Sequence, residues 1–492
     1  MKLNQILTSA LLSSAECAPV FRNAEILSVE TDSRRAKEGS LFFCIPGAVT
    51  DGHLYAKSAY DNGCRHFVCE RALDLPSDAV QITVPDSRAA LSSAAAEFYG
   101  RPADRLHLIG ITGTKGKSTV ASFVYDVLRG SGKKAGIIGT LGAFWNDKKE
   151  VTVNTTPDCL VLQRLFAQML GDGIEYVVLE VSSQSFLTRR VEGMTFDVGV
   201  FTNLSRDHIG FPEHPDMENY AWCKSRLFSQ SRVSVINADD PRHTQMEDAA
   251  AENGGKVLRY GLGTDSDVMG DDPVRLCENG LGVGFTCENI RFRLPMPGLF
   301  NVYNALAAAA ACREAAGIPL RESAEILASS RVSGRFETVP APEDRTFIID
   351  YAHNGLSLRS VLEEIRAYSP KKLTVLVGSV GGRTKERRAE LGAVAGELAD
   401  AIIFTADNPD REDPRSICEE MAAHAGKTPF VIIPDRTEAV AYAVRGSIPG
   451  EAVLFAGKGH EDYQLIDGVK EPYSDRSAVA EAMKAAETGA KH

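Results

Sequence analysis

The sequence predicts a protein of the α/β class with three domains. From residue 106 onward, short apolar runs alternate with amphipathic stretches, and a second series of the same kind begins near residue 335. Such runs are typical of parallel strands buried on both faces. The length of 492 residues agrees with about three domains at ~150 residues each. We place the domains at residues 1–103, 104–332 and 333–492.

The composition excludes several classes of protein. Lys and Arg number 54 and Asp and Glu number 66, so the net charge of −12 argues against a nonspecific nucleic-acid binder, which is normally basic. No apolar run reaches the ~18 residues of a membrane span. The 10 cysteines contain no C-x-x-C pair, so we expect a reducing compartment, the cytoplasm, and no zinc site of the usual spacing. The sequence carries no interface signature, and we therefore expect a monomer.

The first domain mixes short strands and helices. Strands are expected at Ser40–Ile45 and His66–Glu70, and the segment ends near Gly100. Met1–Ser14 resembles a weak signal peptide, but polar residues interrupt its apolar part, so we expect a short helix there instead.

The apolar runs of the central domain predict a parallel sheet. The expected strands are Leu106–Ile111, Tyr176–Val181, Asp197–Leu204 and Val233–Asn237. Thr286–Leu294 predicts an added antiparallel element, and the Ala-rich stretch Ala305–Ala316 predicts a buried helix.

A glycine-rich loop, Gly110–Thr119 (GITGTKGKST), connects the first central strand to an amphipathic helix. Backbone N–H groups in such a loop surround phosphate, and the helix N-terminus adds a favourable dipole. Lys117 is placed to reach the β- and γ-phosphates, and Ser118 to offer its hydroxyl to Mg²⁺. The strict pattern has Gly where Ile111 stands, so this is a variant P-loop, and it predicts nucleotide binding.

Three other residues of the central domain suggest metal chemistry. Glu180 ends a predicted strand, where a carboxylate commonly serves the metal of a P-loop; a cap on the next turn is the alternative. Lys224 falls on the apolar face of the helix predicted around Met217–Phe228. A buried ammonium is unfavourable unless it is paired or chemically altered, although a snorkelling stem would also explain it. His208 lies between strand and helix, where a lone histidine is more often structural than a ligand.

The third domain repeats the strand–helix pattern and predicts a Rossmann-like sheet. Strands are expected at Phe347–Asp350, Leu373–Gly378, Ala401–Thr405, Phe430–Ile433 and Ala452–Ala456. In open α/β sheets, ligands bind beyond the carboxyl ends of the strands. The segments expected to carry chemistry are therefore Asp350–His353, Gly381–Arg383, Asp407–Pro409 and Gly457–Glu461.

These motifs together resemble those of the Mur ligase family, the ATP-dependent amino-acid ligases of peptidoglycan precursor synthesis, over the whole chain. Thr112–Thr119 resembles the family's P-loop, with Lys115 where Asn is usual. Asn203–His208 followed by Lys224 resembles its metal and lysine motif, in which the lysine is carbamylated. A carbamate turns the ammonium into an oxygen-donor anion suited to a second Mg²⁺.

The resemblance therefore implies ATP and two Mg²⁺ ions as cofactors, with a CO₂-derived carbamate on Lys224. The residues implied to bind nucleotide are Thr112, Gly113, Thr114, Lys115, Gly116, Lys117, Ser118, Thr119, Asn301, Asn304, Arg335, Asp350 and His353. Those implied to hold metal are Ser118, Glu180, His208 and Lys224, and those implied to act in catalysis are Lys117, Glu180, His208 and Lys224.

Within the family, the chain resembles the member that adds the third residue of the peptide. The implied substrates are UDP-N-acetylmuramoyl-L-alanyl-D-glutamate, ATP and a diamino acid, and the N-terminal domain is implied to bind the uridine nucleotide. The residues implied to bind substrate are Ser33, Thr155, Thr156, Ser182, Arg190, Arg383, Asp407, Asn408, Asp410, Gly457 and Glu461. One departure is Gln184, which stands where the family often has His after a pair of serines.

The choice of diamino acid depends on Asp410. Diaminopimelate-adding enzymes of the family carry Asp-Asn-Pro-Arg, whose Arg pairs with the distal carboxylate, whereas Asp410 follows Pro409 here. An acceptor-only anion would repel that carboxylate, so the sequence favours L-lysine or another diamino acid that lacks the second carboxylate. The alternative is meso-2,6-diaminopimelate, with Arg411 taking the role of the missing cation.

Two rival functions stay open. A folylpolyglutamate synthase-like ligase shares the P-loop but lacks the N-terminal domain. A P-loop NTPase that does not ligate would need neither Lys224 on an apolar face nor the third domain.

Overall fold

The computed structural model describes residues 1–7, 23–47, 50–206, 209–210, 213–277, 281–342, 344–382 and 385–489. The chain divides into two compact units. The first consists of Met1–Met269 with Asn304–Ser323, and the second of Gly270–Tyr303 with Ala324–His492. The boundaries expected near residues 103 and 332 stay predictions.

The first unit begins with a small parallel sheet. Its strands are β1 (Ser28–Glu30), β2 (Ser40–Phe43), β3 (His66–Cys69) and β4 (Val80–Thr83), paired in that order, and the helices of this part are α1 (Leu3–Ile6), α2 (Ala56–Asp61) and α3 (Ser87–Phe98). Every residue of β2 is buried, as expected for a strand covered on both faces. The helix predicted at the N-terminus is α1, and residues 8–14 lie outside the described part.

A second sheet forms the centre of the first unit. Its strands are β5 (His107–Thr112), β6 (Ala135–Gly139), β7 (Gly142–Trp145), β8 (Lys148–Glu150), β9 (Tyr176–Glu180), β10 (Phe196–Phe201), β11 (Ser231–Asn237), β12 (Lys256–Gly261) and β13 (Val268–Met269). They lie in the order β13-β12-β11-β10-β5-β9-β6-β7-β8, and only the pairs β6–β7 and β7–β8 are antiparallel. The register pairs Ile111 of β5 with Glu180 of β9, so the P-loop and Glu180 leave the sheet at the same edge.

Helices cover this sheet because their apolar stripes pack against its buried strands. They are α4 (Lys117–Gly130), α5 (Cys159–Gly171), α6 (Ser183–Leu187), α7 (Met217–Ser225) and α8 (His243–Ala251). The next two helices are α9 (Phe300–Ala316) and α10 (Leu320–Leu327). The prediction of a buried Ala-rich helix is confirmed, since Ala305–Cys312 of α9 has no exposed residue.

The second unit contains a three-stranded sheet, a six-stranded sheet and a hairpin. The first is antiparallel and consists of β14 (Asp271–Leu276), β15 (Gly282–Cys287) and β16 (Ile290–Leu294), which confirms the expected antiparallel element. The strands of the second are β17 (Glu337–Val339), β18 (Thr346–Asp350), β19 (Lys372–Val377), β20 (Ala401–Phe404), β21 (Phe430–Ile432) and β22 (Glu451–Ala456). The hairpin is β23 (Tyr463–Ile466) with β24 (Val469–Pro472).

The six-stranded sheet has the order β17-β18-β22-β19-β20-β21, parallel except for β17. Its helices are α11 (Gly355–Ala367), α12 (Lys385–Leu398), α13 (Pro414–Ala422), α14 (Arg436–Gly446) and α15 (Asp475–Gly489). Strand β19 lies between β22 and β20, so the loops that follow β22 and β20 flank the end of one intervening strand. This places Asp407–Pro409 and Gly457–Glu461, the two segments that the resemblance implies to bind the incoming amino acid and that we call the amino-acid motifs, at one sheet edge.

The α/β class and the parallel sheets are confirmed, and the predicted strands agree with the observed ones to within a few residues at each end. Among the helices of the described residues, none is both long enough and apolar enough to cross a membrane. Monomeric state and cytoplasmic location stay predictions.

Candidate active site

The P-loop has the predicted strand–loop–helix geometry. Strand β5 ends at the buried Thr112, and α4 begins at Lys117, one residue after Gly116 in a left-handed conformation. The Lys117 Nζ donates to the carbonyl oxygens of Gly113 at 2.9 Å and Thr114 at 3.1 Å. Lys117 therefore reaches back over the loop to which phosphate would bind.

Neighbouring segments hold the P-loop in place. The backbone amide of Lys115 donates to Asn203 Oδ1 at 2.9 Å, and the Lys115 carbonyl accepts from Thr202 Oγ1 at 2.6 Å. Thr114 Oγ1 donates to the carbonyl of Ser205 at 3.2 Å. The side chain of Thr119, like that of Ser118, is nearly buried at the start of α4.

Gly116 is a position that favours glycine. Its φ is +84°, and a Cβ at this position would lie 2.6 Å from Oδ1 of Asn304. The structure thus brings Asn304, one of the predicted nucleotide-binding residues, against the loop.

Replacing Gly116 by Ala is therefore expected to raise the Kd for ATP at least about tenfold, because both the left-handed backbone and the Asn304 contact are disturbed. Gly132→Ala is the matched control, since its φ of +74° carries the same backbone strain but no described atom beyond its neighbours lies within 4 Å of the added Cβ. Calorimetric titration with ATP checks both variants. Equal affinities in the two variants would show that neither the left-handed backbone at Gly116 nor its approach to Asn304 matters for ATP binding.

Glu180 connects the P-loop to the next strand. Its side chain is 1% exposed, and its Oε2 accepts a hydrogen bond from Ser118 Oγ at 2.8 Å. Thr140 donates to both carboxylate oxygens, through its backbone N–H at 2.9 Å and its hydroxyl at 3.1 Å. A hydroxyl and a carboxylate at hydrogen-bond distance beside a phosphate loop form a donor set that suits Mg²⁺.

Four predicted substrate residues of the first unit lie around the same strand end: Thr155, Thr156, Ser182 and Arg190. Thr156 Oγ1 donates to the backbone carbonyl of Glu180 at 2.8 Å and accepts from the Ser182 amide at 2.9 Å. Arg190 Nη1 donates to the Thr156 carbonyl at 2.7 Å, and burial lowers the pKa of its guanidinium. Thr155 lies beside Thr140, with their hydroxyl oxygens 3.1 Å apart.

Lys224 is buried as predicted, on α7. Only 2% of the residue is exposed, and its Nζ donates to the carbonyl of Gly113 at 2.8 Å. The same Nζ lies 4.5 Å from the centre of the Tyr220 ring. A snorkelling stem is thereby excluded. His208 lies outside the described residues.

Ser33 takes part in contacts of its own sheet. Ser33 is buried, and its backbone carbonyl accepts hydrogen bonds from Asn62 Nδ2 at 2.9 Å and from the Ala36 amide at 3.3 Å. Its described hydrogen bonds thus stay within the first 62 residues and do not connect it to Glu180.

In the second unit, Tyr351 lies at the centre of the predicted nucleotide residues. The Arg335 guanidinium stacks on its ring at 4.8 Å, and the His353 ring meets it edge-on at 4.7 Å. Burial raises the pKa of Tyr351 to about 12. Burial and the nearby Arg335 guanidinium lower the pKa of His460, whose ring lies 5.0 Å from Tyr351, to about 4.

Two other predicted nucleotide residues of this unit hold its backbone. Asp350 Oδ2 accepts from the Phe336 amide at 2.6 Å. The fully buried Asn301 donates through Nδ2 to the Pro297 carbonyl at 2.6 Å. In the structure they fix the segments that carry Arg335 and the start of α9.

A buried lysine joins the two predicted amino-acid motifs. Lys458 Nζ has no exposure and donates to Asn408 Oδ1 at 2.9 Å and to Glu461 Oε2 at 2.6 Å. The carboxylate of Asp407 lies 3.5 Å from it, and burial raises the pKa of Asp407 although the Lys458 ammonium opposes that rise. Gly457 lies close to Asp407: a Cβ atom added at Gly457 would lie 3.2 Å from Oδ2 of Asp407.

Asp410 is engaged with the hairpin. Its Oδ1 accepts from the Gly468 amide at 2.7 Å, and its own amide donates to the Leu465 carbonyl at 2.9 Å. The residue has a φ of +53°, which is uncommon for Asp. Its carboxylate thus caps the β23–β24 turn. Arg383 lies outside the described residues.

Several residues of these clusters were not predicted individually as site residues, among them Thr140, His214, Tyr351, Lys458 and His460. His214 is fully buried, with Nε2 2.8 Å from Ser183 Oγ and Nδ1 2.8 Å from Asn219 Oδ1. Tyr351 and Lys458 stand inside predicted motifs, so proximity in sequence was the available signal. Thr140 follows a glycine after an apolar strand, a signal too common to single it out.

Models of known protein families match three successive segments of this chain. Three family models match: "Mur ligase family, catalytic domain" over residues 25–99, "Mur ligase middle domain" over 111–312, and "Mur ligase, glutamate ligase domain" over 334–459. A protein of Geobacillus thermodenitrificans strain NG80-2, named UDP-N-acetylmuramoyl-L-alanyl-D-glutamate–2,6-diaminopimelate ligase, is 41% identical over 94% of this chain and 96% of its own length. A protein of the same name from Listeria monocytogenes serovar 1/2a is 36% identical over 97% of both chains.

Solved structures agree in fold. One, of a UDP-N-acetylmuramoyl-L-alanyl-D-glutamate–2,6-diaminopimelate ligase, has a TM-score of 0.70 at 27% identity and covers 99% of both chains. A Mycobacterium tuberculosis folylpolyglutamate synthase, complexed with ADP and AMPPCP, has a TM-score of 0.60 at 17% identity and covers 80% of this chain and 94% of its own. The second likeness shows a shared fold alone.

Proposed function

This chain belongs to the Mur ligase family, and we propose that it joins a diamino acid to the D-glutamyl carboxylate of UDP-N-acetylmuramoyl-L-alanyl-D-glutamate, using ATP, in the synthesis of peptidoglycan precursors. One observation carries the proposal: Glu180 accepts from the P-loop Ser118 through its side chain and from Thr156 through its backbone. The P-loop and Thr156, a residue implied to bind substrate, therefore both contact Glu180. A nucleotide switch that transfers nothing to a second substrate would not require this.

The reaction proposed has two steps. The γ-phosphoryl group of ATP moves to the D-glutamyl carboxylate, giving an acyl phosphate and ADP. The amine of the incoming amino acid then attacks the acyl carbon, and phosphate and a proton leave as the amide forms. Lys117 stabilises negative charge on the transferring group from the loop side, and Arg190 and Thr156 orient the acceptor carboxylate. In the second unit, Arg335 and His353 are the residues we propose to contact the nucleotide.

Mg²⁺ fits the residues around Glu180. Ser118 Oγ and Glu180 Oε2 lie 2.8 Å apart, at the sheet edge where phosphate would bind, and both are oxygen donors. When bound there, Mg²⁺ would neutralise phosphate charge. We propose this pair for one ion and Lys224, as a carbamate, with His208 for a second.

Burial supports the carbamate on Lys224. Lys224 is 2% exposed, and removing an ammonium from water is unfavourable, whereas the carbonyl of Gly113 and the face of Tyr220 offset part of that cost. Isotope-labelled bicarbonate is expected to give a carbamate carbon signal in NMR of the protein, and Lys224→Gln is expected to remove it. A signal that persists in the variant would place the carbamate elsewhere.

For the incoming amino acid we propose 2,6-diaminopimelate. The names of the relatives support it. The argument for L-lysine required the Asp410 carboxylate to face the substrate, whereas its Oδ1 accepts from the Gly468 amide. L-lysine stays the second candidate because position 410 carries no cation. ATP-dependent phosphate release, measured with UDP-N-acetylmuramoyl-L-alanyl-D-glutamate and either 2,6-diaminopimelate or L-lysine, decides between the two amino acids. Release with neither amino acid would contradict the proposed function itself.

Arg411 is the cation we propose for the distal carboxylate of diaminopimelate. Replacing Arg411 by Ala is expected to raise the KM for diaminopimelate by about 10- to 100-fold, because one charge-assisted hydrogen bond to the substrate is lost. The KM for ATP should stay unchanged. Arg415→Ala, an exposed arginine at the start of α13, is the control. Unchanged KM values for diaminopimelate in the Arg411 variant would remove it from the pocket.

A further inference from the structure

Arg436 is a fully buried arginine at the first position of α14. It forms a two-pronged ion pair with Asp475, the first residue of α15: Nε donates to Oδ1 and Nη2 to Oδ2, both at 2.8 Å. Neither side chain is exposed. The hydroxyl of Tyr473 also donates to Asp475 Oδ1 at 2.8 Å, so the carboxylate is held from two sides.

The guanidinium is also bound to two backbone carbonyls. Nη1 donates to the carbonyl of Ala406 at 3.2 Å, and Nη2 donates to that of Ala456 at 2.8 Å. Ala406 directly precedes Asp407, and Ala456 directly precedes Gly457. One side chain thus connects the last residues before the two amino-acid motifs, across the end of the intervening strand β19.

This arrangement does more than stability alone requires. A buried ion pair loses much of its Coulomb energy to desolvation, and apolar residues of similar volume are often as stable. What the guanidinium adds is a planar fork with donors in fixed directions, which a flexible or apolar side chain lacks. It fixes the distance between two loops that do not follow neighbouring strands.

The same loops are joined a second time by Lys458, which bonds Asn408 of one and Glu461 of the other. Lys458 acts between side chains of the motifs and Arg436 acts on the backbone before them. If the backbone spacing changes, Asn408 and Glu461 no longer point at the same place.

We infer that Arg436, held by Asp475 and Tyr473, is a positioning residue that sets the geometry of the amino-acid pocket by fixing the Ala406 and Ala456 carbonyls. The inference rests on the proposed function, because it takes the Asp407 and Gly457 motifs as the amino-acid pocket. Arg436 itself does not touch the substrate; it acts through the two loops.

The test is Arg436→Lys, which keeps the charge but loses the fork. We expect the KM for the diamino acid to rise about tenfold, while the KM values for ATP and for the UDP-linked substrate change little, since small displacements of positioning groups are costly. Tyr473→Phe, which removes only one hydroxyl donor to Asp475, should shift the same KM in the same direction by a smaller factor.

Arg366→Lys is the matched control. Arg366 also forms a two-pronged pair, with Asp400 at 2.9 and 2.8 Å, and donates to the Leu398 carbonyl, but at the amino end of β20. The Arg366→Lys variant should have a lower melting temperature but an unchanged KM for the amino acid.

The outcomes are separable. A KM for the amino acid that is unchanged in Arg436→Lys overturns the inference, and so does a rise equal to that in the Arg366 control. If Arg436→Lys does not fold, an unchanged KM in Tyr473→Phe overturns it. Wild-type protein that releases no phosphate with any diamino acid would instead contradict the proposed function.

Discussion

Replacing Glu180 by Gln will lower kcat by about 10²- to 10³-fold, the cost of removing one preorganised electrostatic group from a reaction centre. Glu180 is 1% exposed, and its carboxylate accepts a hydrogen bond from the Ser118 hydroxyl at 2.8 Å. The charge of the carboxylate therefore lies in surroundings that screen it weakly. Glutamine has nearly the same shape but lacks the charge that would hold the Mg²⁺ ion we propose at this carboxylate. Phosphate release at saturating substrates measures the loss, and a higher Mg²⁺ requirement should accompany it.

Glu247→Gln is the control for this variant. Glu247 lies on α8, accepts from Arg259 Nη2 at 2.7 Å and is also largely buried, but it is not part of the P-loop cluster. Its kcat should match the wild type. If Glu180→Gln keeps kcat within about threefold, a difference below 1 kcal/mol in the barrier, Glu180 does not hold a catalytic metal.

The cluster at Glu180 was predictable because its determinants are local. The P-loop is one continuous segment between a strand and a helix, and a carboxylate that ends a neighbouring parallel strand must reach the same sheet edge. Lys224 was predictable for a different reason: a charge on an apolar helical face signals burial, and the structure buries it against Gly113.

The contacts of Asp410 were not predictable in this way. Its carboxylate accepts from Gly468, 58 residues further along the chain, in a hairpin that the sequence did not reveal. The sequence shows that position 410 carries a carboxylate, but the direction in which this carboxylate points depends on the long-range contact with Gly468. Arg436 shows the same limit, since its partner Asp475 lies 39 residues away and neither side chain stands in a recognisable motif.

Lys458 should have the largest effect in the second unit. Replacing it by Met will raise the KM for the diamino acid by about 10²-fold or more and will destabilise the fold by about 3–5 kcal/mol, because removing one partner leaves buried charge uncompensated. Lys458 has no exposure, and Asn408, Glu461 and Asp407 all lie within 3.5 Å of its Nζ. Kinetics at varied amino acid and thermal unfolding together measure both losses.

Lys372→Met separates the two effects. Lys372 pairs with the buried Glu451 at 2.9 Å in the same sheet, away from the amino-acid motifs. It should reduce stability and leave the KM for the amino acid as in the wild type. A KM that rises equally in both variants would show that Lys458 acts only on folding.

The pH dependence of the Lys458→Met variant follows from Asp407. Burial raises the pKa of this carboxyl in the folded state, and Lys458 opposes the rise, so the variant should raise that pKa further. A folded state that binds the proton more tightly than the unfolded state loses stability as pH rises above the unfolded aspartate value of about 4. The gap in melting temperature between wild type and variant should therefore widen from acidic to neutral pH. A constant gap would mean that Asp407 does not depend on Lys458 for its charge.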